Sequence, residues 1–176
     1  LDGEIVNLFR VLRNPVLATE LERALRLTPF ARAEFEDAWL PADEPIEQAR
    51  RTIVRAFMGF GSNAVTCRRM VPGNSPGTGF RSNSNRSGTS PAHDWANYPD
   101  CITAFVERLQ GVVIESRPAS EVIRQHDGSE TLIYCDPPYP MATRDAGADY
   151  VHEMTDDDHR ALSEQLHQVR GMVVLS

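Results

Sequence analysis

The run Thr131-Leu132-Ile133-Tyr134-Cys135 is apolar and partly β-branched, and it stops at Asp136-Pro137-Pro138-Tyr139. Residues of the first kind suit a pleated, half-buried strand. Two consecutive prolines remove two backbone donors and stiffen the chain, so neither a strand nor a helix passes through them. Whatever this chain folds into, it must hold a carboxylate and an aromatic ring on a rigid turn just beyond a strand end. The two prolines alone would mean only a stiff turn. The whole tetrapeptide behind an apolar strand is much more specific.

The segments around this junction say what kind of sheet the strand belongs to. Ile102, Phe105, Val106 and Leu109 mark an amphipathic helix that ends at Gly111, and Val112-Val113-Ile114 predicts a short buried strand. Pro118 stands near the start of a short helix through Ile123, where a proline is tolerated, and Asp127-Gly128 is a turn signal. Beyond the motif, Thr155 and Asp158 have the spacing of a capping box for a helix to about Val169, with Leu162, Leu166 and Val169 inward. Met172-Val173-Val174-Leu175 predicts the next strand. Strands alternating with helices imply an α/β fold with a parallel sheet. In open sheets of that kind ligands sit beyond the carboxyl ends of the strands, which is where Asp136 falls.

The first third is helical by periodicity. Ile5, Leu8, Phe9 and Leu12 share one face, and Asn14-Pro15 ends that helix. Further helices are expected from about Thr19 to Leu27, from Pro29 through Trp39, and from about Pro45 to Phe57. From Gly59 to His93 the chain turns rich in Gly, Ser, Asn and Pro and contains no Asp or Glu, while Arg68, Arg69, Arg81 and Arg86 make it basic. So long a segment without periodicity is either a functional loop or a solvated one. The net charge of -7 conceals it.

All 18 basic residues are arginine, a bias that a GC-rich coding sequence explains and that also suits planar contacts to phosphate and guanine. No stretch approaches the roughly 18 apolar residues of a membrane span. Cys67, Cys101 and Cys135 are odd in number and lack metal-ligand spacing, which predicts reduced thiols in a cytoplasmic protein. The five histidines pair with no ligand set, so no metal is expected. Asp156-Asp157-Asp158 reads either as a metal-ligand run or as acids complementing a helix dipole, and the second is preferred.

With these residues in view, the chain resembles the Dam-like adenine-specific DNA methyltransferases of phages and prophages. The resemblance rests on Leu1 to Asn7, Thr131 to Tyr139, Thr143-Arg144, Tyr150 to Asp156 and Val173 to Ser176. It implies methyl transfer from S-adenosylmethionine to the exocyclic amino group of adenine in double-stranded DNA, with the base flipped out of the helix. Asp136 and the Pro137 carbonyl would accept the hydrogens of that amino group, Pro138 would fix their placement, and Tyr139 would stack on the base. Asp136 would also lie near the cofactor's methionine part, and Glu115 and Ser116 occupy the place that contributes to its adenine pocket. Arg81, Asn83, Asn85 and Arg86, within the interval of the family's target-recognition region, are candidates for DNA contact, as are Arg144 and Tyr150.

The implied architecture is a partial Rossmann-like methyltransferase sheet with a helical, loop-rich target-recognition insertion. Residues 1–18 would begin the catalytic domain, 19–110 form the recognition region with its basic loop 59–93, and 111–176 complete the catalytic part. The family's opening strand and glycine-rich turn are not found: Gly59-Phe60-Gly61 follows a helix instead of opening one, and Pro118 stands where some relatives carry an acid. Both ends read as cut within secondary structure, so the expectation is a chain truncated at both ends and incomplete for catalysis. Two alternatives stay open, a catalytically dead DNA-binding remnant and a methyltransferase acting on RNA or protein. Asp136, in place of Asn, favours adenine in DNA.

Overall fold

Asn14-Pro15 both ends one helix and begins the next in the computed structural model, which describes residues 3–60, 79–82, 90–144 and 152–176. Helix α1 spans Gly3–Leu12 and α2 spans Pro15–Leu27. The Asn14 side-chain oxygen accepts from the amides of Val16 at 3.0 Å and Leu17 at 3.3 Å. Pro15 takes the first helical position, where a missing N–H costs nothing. Helix α2 therefore starts four residues before Thr19, where periodicity alone had placed it.

The chain divides into two compact units, Asp2–Val113 and Ile114–Ser176. The first is helical: α1 and α2 are followed by α3 (Arg32–Asp37), α4 (Pro45–Met58), α5 (Pro91–Asn97), a 3-10 turn over Tyr98–Asp100 and α6 (Cys101–Leu109). Helix α4 packs on α1, α2 and α3. Its buried face, Ala49, Ile53, Val54 and Met58, joins Val11, Leu21, Leu25, Phe35, Trp95 and Ile102 in one core. Helix α5 lies partly inside the stretch read as loop. Its start was visible in Ser90-Pro91: the Ser90 hydroxyl accepts from the Ala92 amide at 3.2 Å, with proline at the first turn.

A charge cluster ties α4 to α3 and to the end of α2. Arg50 donates to Glu47 through Nε and Nη2 at 2.7 Å, and through Nη1 to Glu34 at 2.9 Å and to the Thr28 hydroxyl at 3.1 Å. Arg51 donates to Glu47 at 2.7 Å. The hydrogen bond from Arg50 leads in holding the Glu47 carboxyl down at about 2, against its ordinary 4.5. Because the folded-state value is depressed, the stabilisation is complete above about 4.5 and is lost as pH falls through 4.5 toward 2. Glu47 is partly exposed, so solvent screening limits the effect to about 1 kcal/mol. Glu47→Gln is accordingly expected to lower stability at neutral pH and to match the parent chain below pH 2, measured by urea melts across that range. A constant difference at every pH would mean that packing, not ionisation, is what Glu47 supplies.

The second unit holds α7 (Ala119–His126), β1 (Leu132–Cys135), a 3-10 turn over Met141–Thr143, α8 (Asp156–Leu166) and β2 (Met172–Leu175). Strands β1 and β2 pair in parallel, with Leu132 opposite Met172 and Cys135 opposite Leu175. The expected parallel pairing is thus present, as a two-stranded sheet among the described residues. The Asp127 carboxylate sets the approach of β2 by accepting from the amides of Arg170 at 2.8 Å and Gly171 at 3.0 Å. A Cβ on Gly171 would meet the Thr131 carbonyl oxygen at 2.5 Å, so only glycine lets the two backbones come this close.

Helix α8 starts with a full capping box: the Thr155 hydroxyl accepts from the Asp158 amide, and the Asp158 carboxylate accepts from the Thr155 amide at 2.8 Å. The Thr155 hydroxyl, which also donates to the Asp158 carboxylate at 2.6 Å, leads in pulling that carboxyl below its ordinary value, and the bond from the Thr155 amide adds to it. The acidic run therefore serves the helix end, as the dipole argument favoured. One expected element is corrected. Val112-Val113-Ile114 forms no strand, and Val113 is 75% exposed. Its β-branched residues suit a strand, but a strand exists only where a neighbour accepts its hydrogen bonds, and no described residue pairs with it.

Candidate active site

Strand β1 delivers its last residue, Cys135, to the carboxyl edge of the sheet, where the Ser176 amide donates to the Cys135 carbonyl at 2.9 Å. Parallel pairing with β2 therefore holds the chain right up to the motif. Asp136 comes next and is exposed, with no hydrogen bond or ion pair to its carboxylate among the described residues. Pro137 and Pro138 then make the chain stiff, and the Tyr139 ring is 51% exposed. The Tyr139 hydroxyl lies 3.4 Å from the Ser176 hydroxyl. An exposed carboxylate and a half-exposed aromatic ring thus share one rigid turn at the end of a parallel strand.

Cys135, the nearest thiol, is half-buried within β1, and burial pushes its pKa up. Burial thus disfavours the thiolate, the form in which a cysteine acts as a nucleophile.

The other candidate residues fall in different settings. Arg144 turns its guanidinium onto the protein: Nε donates to the Tyr139 carbonyl at 2.7 Å, Nη2 donates to the same oxygen, and Nη1 and Nη2 grip the Glu153 carboxylate at 3.0 and 2.9 Å. Only 8% of the Arg144 side chain is exposed. Glu115 and Ser116 are both exposed, and Glu115 is engaged by Arg117, which draws its carboxyl below the ordinary value. No hydrogen bond among the described residues joins Glu115 or Ser116 to the motif.

Arg81 stands over the Phe57 ring at 5.5 Å and donates to the Phe57 carbonyl at 3.3 Å, while its amide donates to the Met58 carbonyl at 2.7 Å. The basic segment is thus fastened to the end of α4 at this point, beside the bridge between Gly59 and Phe80. Asn83, Asn85, Arg86 and Tyr150 lie outside the described residues. Ser176 and Glu153 were not read as site residues. Glu153 had a signal, since it belongs to the run Tyr150 to Asp156, but only the fold shows what it touches.

Among the described residues no group of three or more His, Cys, Asp or Glu could hold a metal ion, and no helix is long and apolar enough to cross a membrane. Comparison with curated proteins and with solved structures found no match. A family model for the D12 class N6 adenine-specific DNA methyltransferases matches residues 81–174, more than half of the chain and the whole of the motif and its flanks. The chain therefore belongs to the D12 class of N6 adenine-specific DNA methyltransferases.

Proposed function

We propose that this chain carries the reacting site of a Dam-like, phage or prophage type enzyme that methylates the amino group of a flipped adenine in double-stranded DNA, acting in the cytoplasm. The observation that carries this reading is the Asp136 carboxylate, exposed and without a partner among the described residues, at the end of a parallel strand within the segment that matches the family. Residues 111–176 would be the motif-bearing part of a larger Rossmann-like sheet. The exposure of all four residues of β2 supports this, since apolar parallel strands are ordinarily covered on both faces. Residues 19–110 would form the recognition region, with Arg81, Asn83 and Arg86 on the DNA side.

The chemistry follows from the weakness of the nucleophile. The adenine amino nitrogen shares its lone pair with the ring. Asp136 and the Pro137 carbonyl would accept its two hydrogens and favour a pyramidal nitrogen whose lone pair points away from the ring. Because the prolines hold both acceptors in place beforehand, little reorganisation is needed as charge develops. Tyr139 would stack on the extruded base, returning about 1–3 kcal/mol of the cost of flipping. S-adenosylmethionine, when bound, supplies the methyl group for a direct displacement. Asp136 fits the reacting end of that cofactor. Among the described residues, however, no strand runs into a glycine-rich turn that would hold the rest of it.

A second reading is a DNA-binding relative that no longer transfers methyl groups. Calorimetric titration of the chain with S-adenosylmethionine, followed by labelled methyl transfer to duplexes with and without adenine, separates the two. Micromolar binding with adenine-dependent transfer is the expected result. A folded chain that binds duplex DNA but neither binds the cofactor nor transfers label would establish the second reading.

A further inference from the structure

Arg144, a candidate for DNA contact in the sequence, is paired in the fold with Glu153, to which the sequence assigns no role. The guanidinium bonds both the Glu153 carboxylate and the backbone carbonyl of Tyr139. A bidentate pair with carboxylate on one side leaves Nε and Nη2 aimed together at one carbonyl, a geometry that only the planar fork of arginine provides. The Tyr139 side chain is tethered separately, its hydroxyl lying 3.4 Å from the Ser176 hydroxyl at the end of β2. The segment that follows is tightened as well: the Thr143 amide and hydroxyl donate to the Pro140 carbonyl at 2.9 and 2.8 Å.

We propose that the Arg144–Glu153 pair is a positioning device for the motif, holding the Tyr139 carbonyl and through it the orientation of the Tyr139 ring toward the reacting base. The pair makes no contact with substrate. Its charge lies inside the protein, Arg144 with 8% and Glu153 with 24% of the side chain exposed, so it orders the turn and does not recruit DNA. Pro137 and Pro138 stiffen the approach to Tyr139, and Pro140 confines its ψ angle to the extended region; within that region the double hydrogen bond to the Tyr139 carbonyl fixes the peptide plane. The effect on catalysis rests on the adenine reading given above; the positioning of the turn does not.

The test uses the whole chain with 3-fluorotyrosine, the Tyr139 signal being assigned by Tyr139→Phe, alongside single-turnover methyl transfer to an adenine-containing duplex. Glu153→Gln keeps the size of the partner and removes its charge. Arg144→Lys keeps a charge and loses the fork, and Arg144→Ala loses both. The expected result is that all three shift or broaden the Tyr139 fluorine line while leaving the other tyrosine lines in place. The transfer rate is expected to fall about 10-fold in Glu153→Gln and Arg144→Lys and about 100-fold in Arg144→Ala, with KM for the duplex within threefold of the parent chain. An unmoved Tyr139 line in Arg144→Ala would overturn the proposal. So would a loss carried wholly by KM and its salt dependence, which would make Arg144 a DNA contact. If the parent chain transfers no methyl group but the line moves in all three variants, positioning stands and the adenine reading fails.

Discussion

Asp136→Ala is expected to lower methyl transfer by about 10²–10³-fold or more, the range seen when one preorganised polar group is removed from a reacting centre. The same change is expected to leave the melting behaviour of the chain unaltered within about 0.5 kcal/mol, because exposed residues away from special features seldom matter more than that. Both halves come from one observation. The carboxylate is exposed and has no partner among the described residues, so its removal orphans no donor, and the ladder bond from Ser176 to the Cys135 carbonyl is untouched. Asp136→Asn sharpens the test. It retains an acceptor oxygen but brings an NH2 group whose hydrogens would face those of the adenine, so it should be impaired almost as severely as the alanine variant. Single-turnover transfer of labelled methyl groups measures the rate, and thermal melts of the same preparations measure the fold. Near-parental rates in Asp136→Ala would remove Asp136 from the chemistry. A lost rate accompanied by a lost melt would mean that the carboxylate holds the turn together.

The parts of this molecule that could be read in advance are those in which a few neighbouring residues settle their own conformation. An apolar, β-branched run closed by two prolines has to be a strand with a hard stop, and Thr155 with Asp158 has to be a helix start. Both are as expected. Helix α5 shows the same local logic, which is why Ser90-Pro91 could have revealed it within a stretch whose composition suggests a loop. Val112 to Ile114 marks the opposite limit. Three β-branched residues suit a strand, yet pairing depends on a partner that sequence spacing does not identify. The Arg144–Glu153 pair lies beyond the same limit. Each residue stood out in its own short run, but their meeting depends on the chain turning back after the motif, and only that return makes the Tyr139 carbonyl their common target.

Trp95→Ala is expected to be the most damaging core substitution in the helical unit, at about 3–5 kcal/mol for the lost ring and about 1 kcal/mol more for its hydrogen bond. Trp95 is 4% exposed, stacks on Tyr98 at 5.8 Å and meets the Phe57 ring at 5.2 Å. Its indole N–H donates to the Thr28 carbonyl at 2.7 Å. Thr28 is already a junction, since its hydroxyl accepts from Arg50 at 3.1 Å and donates to the Ala24 carbonyl at 2.8 Å. The indole thus joins α5 to the end of α2 through the same residue that receives the charge cluster of α4. Because whole domains are stable by only about 5–15 kcal/mol, a loss of this size removes about a third or more of the stability and nearly all of it at the low end of that range. Trp95→Phe separates the two contributions: the ring stays, the N–H goes, and the expected cost falls to about 1–3 kcal/mol, the carbonyl of Thr28 being left without its donor. Urea melts of the two variants measure both values. Equal losses would place the stabilisation in the hydrogen bond to Thr28, whereas a loss below about 1 kcal/mol in Trp95→Ala would mean that the aromatic cluster does not carry the packing of this unit.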